Sequence, residues 1–149
     1  MTSALANLAS RLRGRRGVLV DSNILLDVAT NDINWSNWSG HALAECAGHA
    51  ALIINPIIYA EVSIGFSSIE ALDAALPTSS YAREALPWEA GFLAGKCFLA
   101  YRRGGGARNA PLPDFYIGAH AAIENLALLT RDLARYRTYF PSVELLGPP

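Results

Sequence analysis

Three short apolar runs, each followed at once by a polar residue, constrain the fold of this chain most. The runs and the residues that follow them are 18–20 with Asp21, 51–54 with Asn55, and 126–129 with Thr130. Entirely apolar runs of this length are typical of strands that are buried on both faces, as in a parallel sheet. Because helical patterns separate the runs, the sequence predicts an α/β domain with a mainly parallel sheet.

The remaining elements follow from apolar periodicity and from capping and turn residues. Helices are expected at residues 3–13, 23–28, 38–48, 57–66, 68–76, 87–103, 114–125 and 131–140, and a last strand at 143–146. Residues 77–86 are predicted to be a turn-rich connector, and residues 104–113, which begin with three glycines, a flexible loop. We expect two parts, a helical extension over residues 1–16 and one domain over residues 17–149.

Composition excludes several classes of protein. Of the 149 residues 52% are hydrophobic and 17% are charged, which is typical of a compact fold and not of a disordered chain. The net charge is −1, so the whole chain is not a polycation. No apolar run reaches the roughly 20 residues of a membrane span. Asp21 and Asn23 interrupt the apolar stretch after the arginines of residues 11–16, which argues against an export signal and predicts a cytoplasmic protein.

The acidic residues lie in unusually apolar surroundings. Glu61 is the only Asp, Glu, Lys or Arg in residues 46–69, and Asp114 is the only one in residues 109–123. On a helix, Glu61 would share a core-facing stripe with Ile57 and Ile64. Burying an uncompensated carboxylate costs several kcal/mol, about the stability of a small domain, so these acids require a compensating partner.

Four acids are predicted to converge at one edge of the sheet. Asp21 and Asp132 lie at or just past the carboxyl ends of predicted strands, where parallel α/β sheets bind ligands. Asp114 and Asp132 are also expected to begin helices, whose amino-terminal dipoles favour negative charge. With Glu61 they form a set of hard oxygen ligands without His or Cys, which favours Mg²⁺ or Mn²⁺ over zinc.

Each acid also has an ordinary structural interpretation. Asp114 could cap a helix, and Asp21 could form an Asx turn. Asp132 could be a cap that is paired with Arg131 or Arg135. The joint placement of the acids, and not any one of them, therefore indicates a site.

Four sequence blocks resemble those of PIN domains, in the order of that family. They are Val-Leu-Val-Asp-Ser-Asn-Ile-Leu-Leu-Asp at 18–27, Asn55-Pro56 with Tyr59-Ala60-Glu61, Pro-Asp-Phe-Tyr-Ile-Gly-Ala-His-Ala at 113–121, and Leu-Leu-Thr-Arg-Asp at 128–132. The resemblance covers roughly residues 17–147. The size of the chain is most similar to the VapC-like toxin subunits of bacterial type II toxin–antitoxin pairs. The extension before residue 17 departs from that pattern.

The resemblance implies a fold, an activity and partners. The fold would be a three-layer α/β/α sandwich, and the activity Mg²⁺- or Mn²⁺-dependent endoribonuclease cleavage. The partners would be an RNA substrate, a small cognate antitoxin that blocks the site, and a second copy of the chain in a homodimer. The positions that match the family's acidic quartet are Asp21, Glu61, Asp114 and Asp132, and those that match its supporting polar residues are Asn23 and Thr130.

These expectations assign a role to each residue. Asp21, Asp114 and Asp132 would hold the metal, and Glu61 would be a further ligand or a base that orients water. The candidates for gripping the RNA backbone are Arg102, Arg103 and Arg108, although a solvated flexible loop explains them as well.

Other functions are compatible with parts of the pattern. A receiver-like signalling domain has the same architecture and binds Mg²⁺, but it needs a lysine late in the sheet, whereas Lys96 lies inside a predicted helix. A catalytically silent PIN-like binding module is a second alternative, although the intact set of acids argues against it. A DNA nuclease would use the same metal chemistry, because carboxylates do not distinguish the sugars.

Overall fold

The computed structural model describes residues 3–105 and 112–149, and in them it contains five strands and eight α-helices. The strands are β1 Val18–Val20, β2 Leu52–Ile54, β3 Tyr81–Arg83, β4 Ala127–Leu129 and β5 Leu145–Leu146. The helices are α1 Leu8–Arg11, α2 Ser22–Ala29, α3 Ser36–Ala47, α4 Pro56–Ser63, α5 Ile69–Ala75, α6 Trp88–Arg103, α7 Leu112–Ile123 and α8 Leu133–Arg137.

The strands form one sheet in the order β3-β2-β1-β4-β5, and every pairing in it is parallel. Leu19 of β1 lies opposite Ile53 of β2 on one side and opposite Leu128 of β4 on the other. The three central strands are buried along their whole length. The prediction of an α/β fold with a parallel sheet is therefore confirmed.

The order of the strands determines where a ligand site is expected. The chain runs from β1 outward to β3, crosses back to β4 on the other side of β1, and then continues to β5. Right-handed crossovers in both directions place helices on both faces of the sheet. The carboxyl ends of β1 and β4 therefore flank the topological switch point, which is where open α/β sheets bind ligands.

Residues 3–16, which we call the amino-terminal segment, pack against the sheet domain. Leu5, Leu8 and Leu12 are buried in the same hydrophobic core as the strands. The carboxylate of Glu45 on α3 accepts hydrogen bonds from the backbone N–H groups of Ala4, at 2.7 Å, and Leu5, at 3.2 Å. The boundary that we expect between residues 16 and 17 stays a prediction.

Two elements differ from the sequence prediction. The helix expected over residues 3–13 is only the short α1, because Asn7 adopts a left-handed conformation with φ of 55° and the helix begins after it. The connector expected over residues 77–86 contains β3, an edge strand in which Ala82 and Arg83 are exposed. Because so little of β3 is buried, no apolar run marks it in the sequence.

The predicted core-facing stripe of α4 is also wrong. The residues of this helix that enter the core are Ile58 and Val62, which are 0% and 1% exposed. Ile64 follows the end of the helix and is 87% exposed. Glu61 lies between these two environments and is half-buried. None of the described helices is long and apolar enough to cross a membrane.

Candidate metal centre

Asp21 lies at the centre of the predicted site. It follows β1 directly, caps the amino terminus of α2 and is 4% exposed. Its carboxylate accepts hydrogen bonds from the backbone N–H of Ser22 at 2.8 Å, the hydroxyl of Thr130 at 2.8 Å and the hydroxyl of Tyr136 at 3.0 Å. Burial raises the pKa of Asp21, and the hydrogen bonds offset part of this increase.

Glu61 is held beside Asp21 by a serine. Ser22 contacts Asp21 through its backbone, and its side-chain hydroxyl donates a hydrogen bond to Oε1 of Glu61 at 2.9 Å. Burial raises the pKa of Glu61, and the negative charges of Asp21 and Asp114 raise it further. The glutamate therefore lies close enough to both aspartates for mutual repulsion.

Asp114 and Asp132 share one arginine. Nη1 of Arg135 lies 2.6 Å from Oδ2 of Asp114, and Nε lies 3.0 Å from Oδ2 of Asp132. Asp114 is the third residue of α7 and is buried, whereas Asp132 follows β4 and its side chain is 37% exposed. Burial raises the pKa of Asp114 and the charge of Asp21 adds to this, although the Arg135 charge opposes both.

The two supporting polar residues connect the ends of β1 and β4. The side-chain amide of Asn23 approaches Oγ1 of Thr130 at 3.4 Å, and Asn23 Oδ1 accepts the backbone N–H of Arg131 at 3.3 Å. Thr130 is fully buried, and its Oγ1 also accepts the backbone N–H of Asp132 at 3.0 Å. These bonds fix the turn that carries Asp132 next to Asp21.

We call the four acids together the acidic edge. The structure brings all of them to the carboxyl end of the sheet. Burial there raises the pKa values of Asp21, Glu61 and Asp114, and repulsion from neighbouring carboxylates adds to the rise for Glu61 and Asp114. The sequence predicted this convergence. The roles of the individual residues as ligands or base stay predictions.

The donor set of the acidic edge fits a hard divalent cation in its chemistry, since its ligand atoms are carboxylate oxygens. In residues 3–105 and 112–149, no three His, Cys, Asp or Glu side chains already form a set of ligands around one point. Asp114 and Asp132 are instead bridged by Arg135, which supplies the positive charge at this edge. An incoming ion would have to exchange with these contacts.

Sequence reasoning missed three contacts of the acids, those of Tyr136 with Asp21, of Ser22 with Glu61 and of Arg135 with Asp114. Tyr136 is 1% exposed and donates to Asp21, and only its spacing of one helical turn from Asp132 could have pointed to it. Ser22 and Arg135 were visible as neighbours in the chain. Their bonds to Glu61 and Asp114, however, join different elements and depend on the tertiary fold.

A second cluster holds the turn between Thr130 and Asp132 in place. The guanidinium of Arg131 binds both carboxylate oxygens of Asp27, at 2.6 and 3.0 Å, and lies 4.9 Å from the ring centre of Trp35. Asp27 is 3% exposed and also accepts the hydroxyl of Ser39 at 2.6 Å. Arg131 stands between Thr130 and Asp132, so this cluster anchors their turn to α2 and α3.

Two of the three residues predicted to grip RNA lie on α6. Arg102 and Arg103 lie in the last turn of α6, and the Arg102 guanidinium is 5.9 Å from the ring centre of Phe98. Both arginines are exposed. Arg108 lies outside the described residues.

Comparison with known proteins identifies the family. Residues 18–141 match the PIN domain, so the chain belongs to the PIN domain family. No curated protein sequence matches the chain well enough to be called a relative.

Solved structures with the same fold include several toxin–antitoxin complexes. The chain is similar to VapBC2 from Rickettsia felis bound to a DNA fragment from its promoter, with 18% identity, a TM-score of 0.68 and coverage of 89% of this chain and 98% of that one. It is also similar to VapBC-1 from nontypeable Haemophilus influenzae, with 19% identity, a TM-score of 0.66 and coverage of 87% of this chain and 96% of that one. A third similar structure is a toxin–antitoxin complex from Klebsiella pneumoniae, with 21% identity, a TM-score of 0.65 and coverage of 85% of this chain and 95% of that one. At these identities the similarity shows a common fold.

Proposed function

We propose that this protein is a metal-dependent endoribonuclease and that it acts as the toxin of a toxin–antitoxin pair. The observation that carries the proposal is the convergence of four carboxylates at the switch point of the sheet. Burial raises the pKa values of three of them, and repulsion between the acids adds to the rise for Glu61 and Asp114. Membership of the PIN family supports a nuclease, since PIN domains are generally nucleases.

The residues of the acidic edge have different roles in phosphodiester hydrolysis. Asp21, Asp114 and Asp132 would hold Mg²⁺ or Mn²⁺, which when bound supplies a Lewis acid for the phosphate oxygens and lowers the pKa of a coordinated water. Glu61 is a further ligand or orients the attacking water, and the Ser22 hydroxyl holds its Oε1 in place.

The hydroxyl groups around Asp21 keep that carboxylate in one orientation. Thr130 and Tyr136 both donate to Oδ2, while the Ser22 N–H holds Oδ1. Such outer contacts set the direction of a ligand, and losing one typically lowers metal affinity or activity about 10–100-fold. Arg102, Arg103 and Arg108 are proposed to contact the RNA backbone.

The proposed partner is a small antitoxin that covers the acidic edge. The support is that the similar structures include VapBC complexes and a toxin–antitoxin complex, two of the VapBC complexes being bound to DNA. We further propose a homodimer that acts on RNA in the cytoplasm. Co-expression with the product of the adjacent gene should yield a complex that does not cleave RNA, and free cleavage by that complex would contradict the pairing.

Cleavage of RNA by the purified protein tests the proposal. We expect Mg²⁺ or Mn²⁺ to support cleavage, EDTA to abolish it, and Asp21→Asn to reduce it at least about 100-fold, since a direct ligand contributes more than an outer contact. The control is Glu70→Gln, which neutralises an exposed acid on α5 and should retain full activity. A single-stranded DNA of the same sequence distinguishes a DNA nuclease from the proposed ribonuclease.

Two outcomes would overturn the proposal. Equal cleavage by the unchanged protein and by Asp21→Asn would show that a contaminating nuclease or another site is responsible. No cleavage of any nucleic acid, together with tight antitoxin binding, would favour the silent binding module.

A further inference from the structure

A cavity of about 340 Å³ opens next to the acidic edge. Its volume lies at the lower end of the roughly 300–1,000 Å³ that is typical of small-ligand pockets. We call it the aromatic cavity, and it is lined by Tyr101, Asp114, Phe115, Asp132, Ala134, Arg135 and Tyr139. Two of its lining residues thus belong to the acidic edge, so a molecule in the cavity would touch the proposed reaction centre.

Three rings form the apolar wall of the cavity. Phe115 packs against Tyr101 and against Tyr139, with 5.6 Å between ring centres in each pair, and the two tyrosines are 6.0 Å apart at an angle of 74°. Phe115 is buried, whereas both tyrosines are partly exposed. The three rings therefore pack against one another, and their aromatic surface already lines the cavity.

The cavity also has a cationic side. The Arg135 side chain is 48% exposed, and its guanidinium contacts Asp114 and Asp132, which line the same cavity. A guanidinium recognises a phosphate in the same way as it recognises a carboxylate. Aromatic surface beside an arginine and an acidic reaction centre fits a planar base that is joined to a phosphate better than it fits an uncharged apolar molecule.

We propose that the aromatic cavity binds the base of a nucleotide next to the cleaved phosphodiester, with Tyr139 against the base and Arg135 towards a phosphate. This inference rests on the proposed function for its substrate, RNA. Stacking on aromatic side chains tolerates any base, and hydrogen bonding at the cavity would add a preference among bases. The cavity would therefore hold one nucleotide of a single-stranded RNA at a fixed place beside the acidic edge.

The test measures whether one base of the RNA is coupled to one ring of the protein. The probes are a fluorescein-labelled RNA tetranucleotide and four versions of it, each with one abasic ribose. Binding is measured by fluorescence anisotropy in EDTA, so that metal-dependent cleavage does not take place. The protein variants are Tyr139→Leu, which fills much of the space without a ring, Tyr139→Phe, which keeps the ring, and Trp88→Ala as control.

Trp88 is a matched control because it is also an aromatic residue of the surface. It is 93% exposed and is the first residue of α6, whereas Tyr101 lies 13 residues later. At 1.5 Å per residue the two are about 20 Å apart along the helix axis. Melting curves of all variants establish that each is folded before binding is compared.

The proposal predicts a non-additive result. At one position the abasic ribose should weaken binding by the unchanged protein, Tyr139→Phe and Trp88→Ala about tenfold, within the range of one stacked base. An abasic ribose at that same position should weaken RNA binding by the Tyr139→Leu variant less than twofold, because this variant already lacks the ring. Equal losses in Tyr139→Leu and the unchanged protein, or no loss at any position, would overturn the inference.

The result is separable from that of the proposed function. Coupling in EDTA without any cleavage in Mg²⁺ would retain the base site and reject the nuclease. Cleavage in Mg²⁺ without coupling would retain the nuclease and reject the base site.

Discussion

The amino-terminal segment and the acidic edge both concentrate charge, but they compensate it in different ways. Arg11 pairs with Glu144 at 3.2 Å, and Arg16 pairs with Glu84 at 2.7 Å and with Glu124 at 3.5 Å. The Arg16 guanidinium lowers the pKa of Glu84 from its ordinary value, as expected for a carboxylate with a cationic partner.

The acidic edge shows the opposite behaviour. Arg135 contacts Asp114 and Asp132, whereas Asp21 and Glu61 accept hydrogen bonds from neutral hydroxyl and backbone groups. Burial raises the pKa values of Asp21, Glu61 and Asp114. The comparison indicates that the contacts of the segment stabilise the fold. The acidic edge instead keeps buried negative charge that a bound cation would neutralise.

The largest expected effect is a loss of stability when the packing of the amino-terminal segment is disrupted. Leu8→Ala removes a buried side chain of the amino-terminal segment and should cost about 2–3 kcal/mol. For a chain of this size that lowers Tm by about 4–12 °C. The rise in Tm on adding Mn²⁺ should be unchanged, because the segment holds no part of the acidic edge.

Differential scanning fluorimetry with and without Mn²⁺ measures both quantities. The matched control is Ile64→Ala, which shortens a side chain that is 87% exposed and should change stability by less than about 0.5 kcal/mol. A smaller Mn²⁺ response in Leu8→Ala would contradict the division of roles.

The next effect concerns Arg135, the cation that contacts Asp114 and Asp132 at the acidic edge. Arg135→Gln should lower the Tm of the metal-free protein by about 2–4 °C, the equivalent of about 1 kcal/mol for a pair that solvent screens in part. The rise in Tm on adding Mn²⁺ should become larger than in the unchanged protein, because the ion no longer exchanges with the arginine.

Arg16→Gln is the control for this prediction. It also breaks an ion pair, yet it should leave the Mn²⁺ response as it is. An equal Mn²⁺ response in Arg135→Gln and the unchanged protein would show that Arg135 and the ion do not compete.

The smallest effect is the pH dependence of Glu61→Gln in EDTA. Since the pKa of Glu61 is raised in the folded state, its protonated form stabilises the fold, and this contribution is lost as pH rises through the raised pKa. The variant should therefore melt about 1–3 °C above the unchanged protein at pH 8, a small gain because Glu61 is half-buried. The difference should shrink as the pH falls through the raised pKa, because Glu61 itself then becomes neutral.

Melting curves of the two proteins in parallel from pH 5 to pH 8 check this sign. Taking their difference removes the titration of other groups, such as His120, whose pKa burial lowers. A difference that is constant over this range, or that grows towards pH 5, would refute the raised pKa of Glu61.

Most of the sheet could be predicted because its central strands are buried on both faces. A strand such as β1 or β4 must then be apolar throughout, which leaves a signal in the sequence. β3 left no such signal, since an edge strand with Ala82 and Arg83 exposed has no need of apolar residues. Local geometry likewise shortened the predicted first helix, which begins only after Asn7.

The acids of the site could be predicted for a related reason. Glu61 and Asp114 are isolated charges in apolar stretches, and Asp21 and Asp132 follow strands. The hydrogen-bonding partners of these acids could not be predicted, because a contact such as that of Tyr136 with Asp21 spans 115 residues of sequence. The aromatic cavity also combines residues from α6, α7 and α8 and is visible only in the folded chain.

Direct binding of Mn²⁺ to the metal-free protein tests the central claim, that the acidic edge is a divalent cation site. Titration of the chelator-treated protein, followed by electron paramagnetic resonance and by Tm, should show saturable binding. The free energy of unfolding should rise by about 2.7 kcal/mol when free Mn²⁺ reaches 100 times its Kd. Both signals should be lost in Asp21→Asn and retained in Glu70→Gln. A Tm that does not respond to millimolar Mn²⁺, or equal binding by Asp21→Asn, would contradict the account.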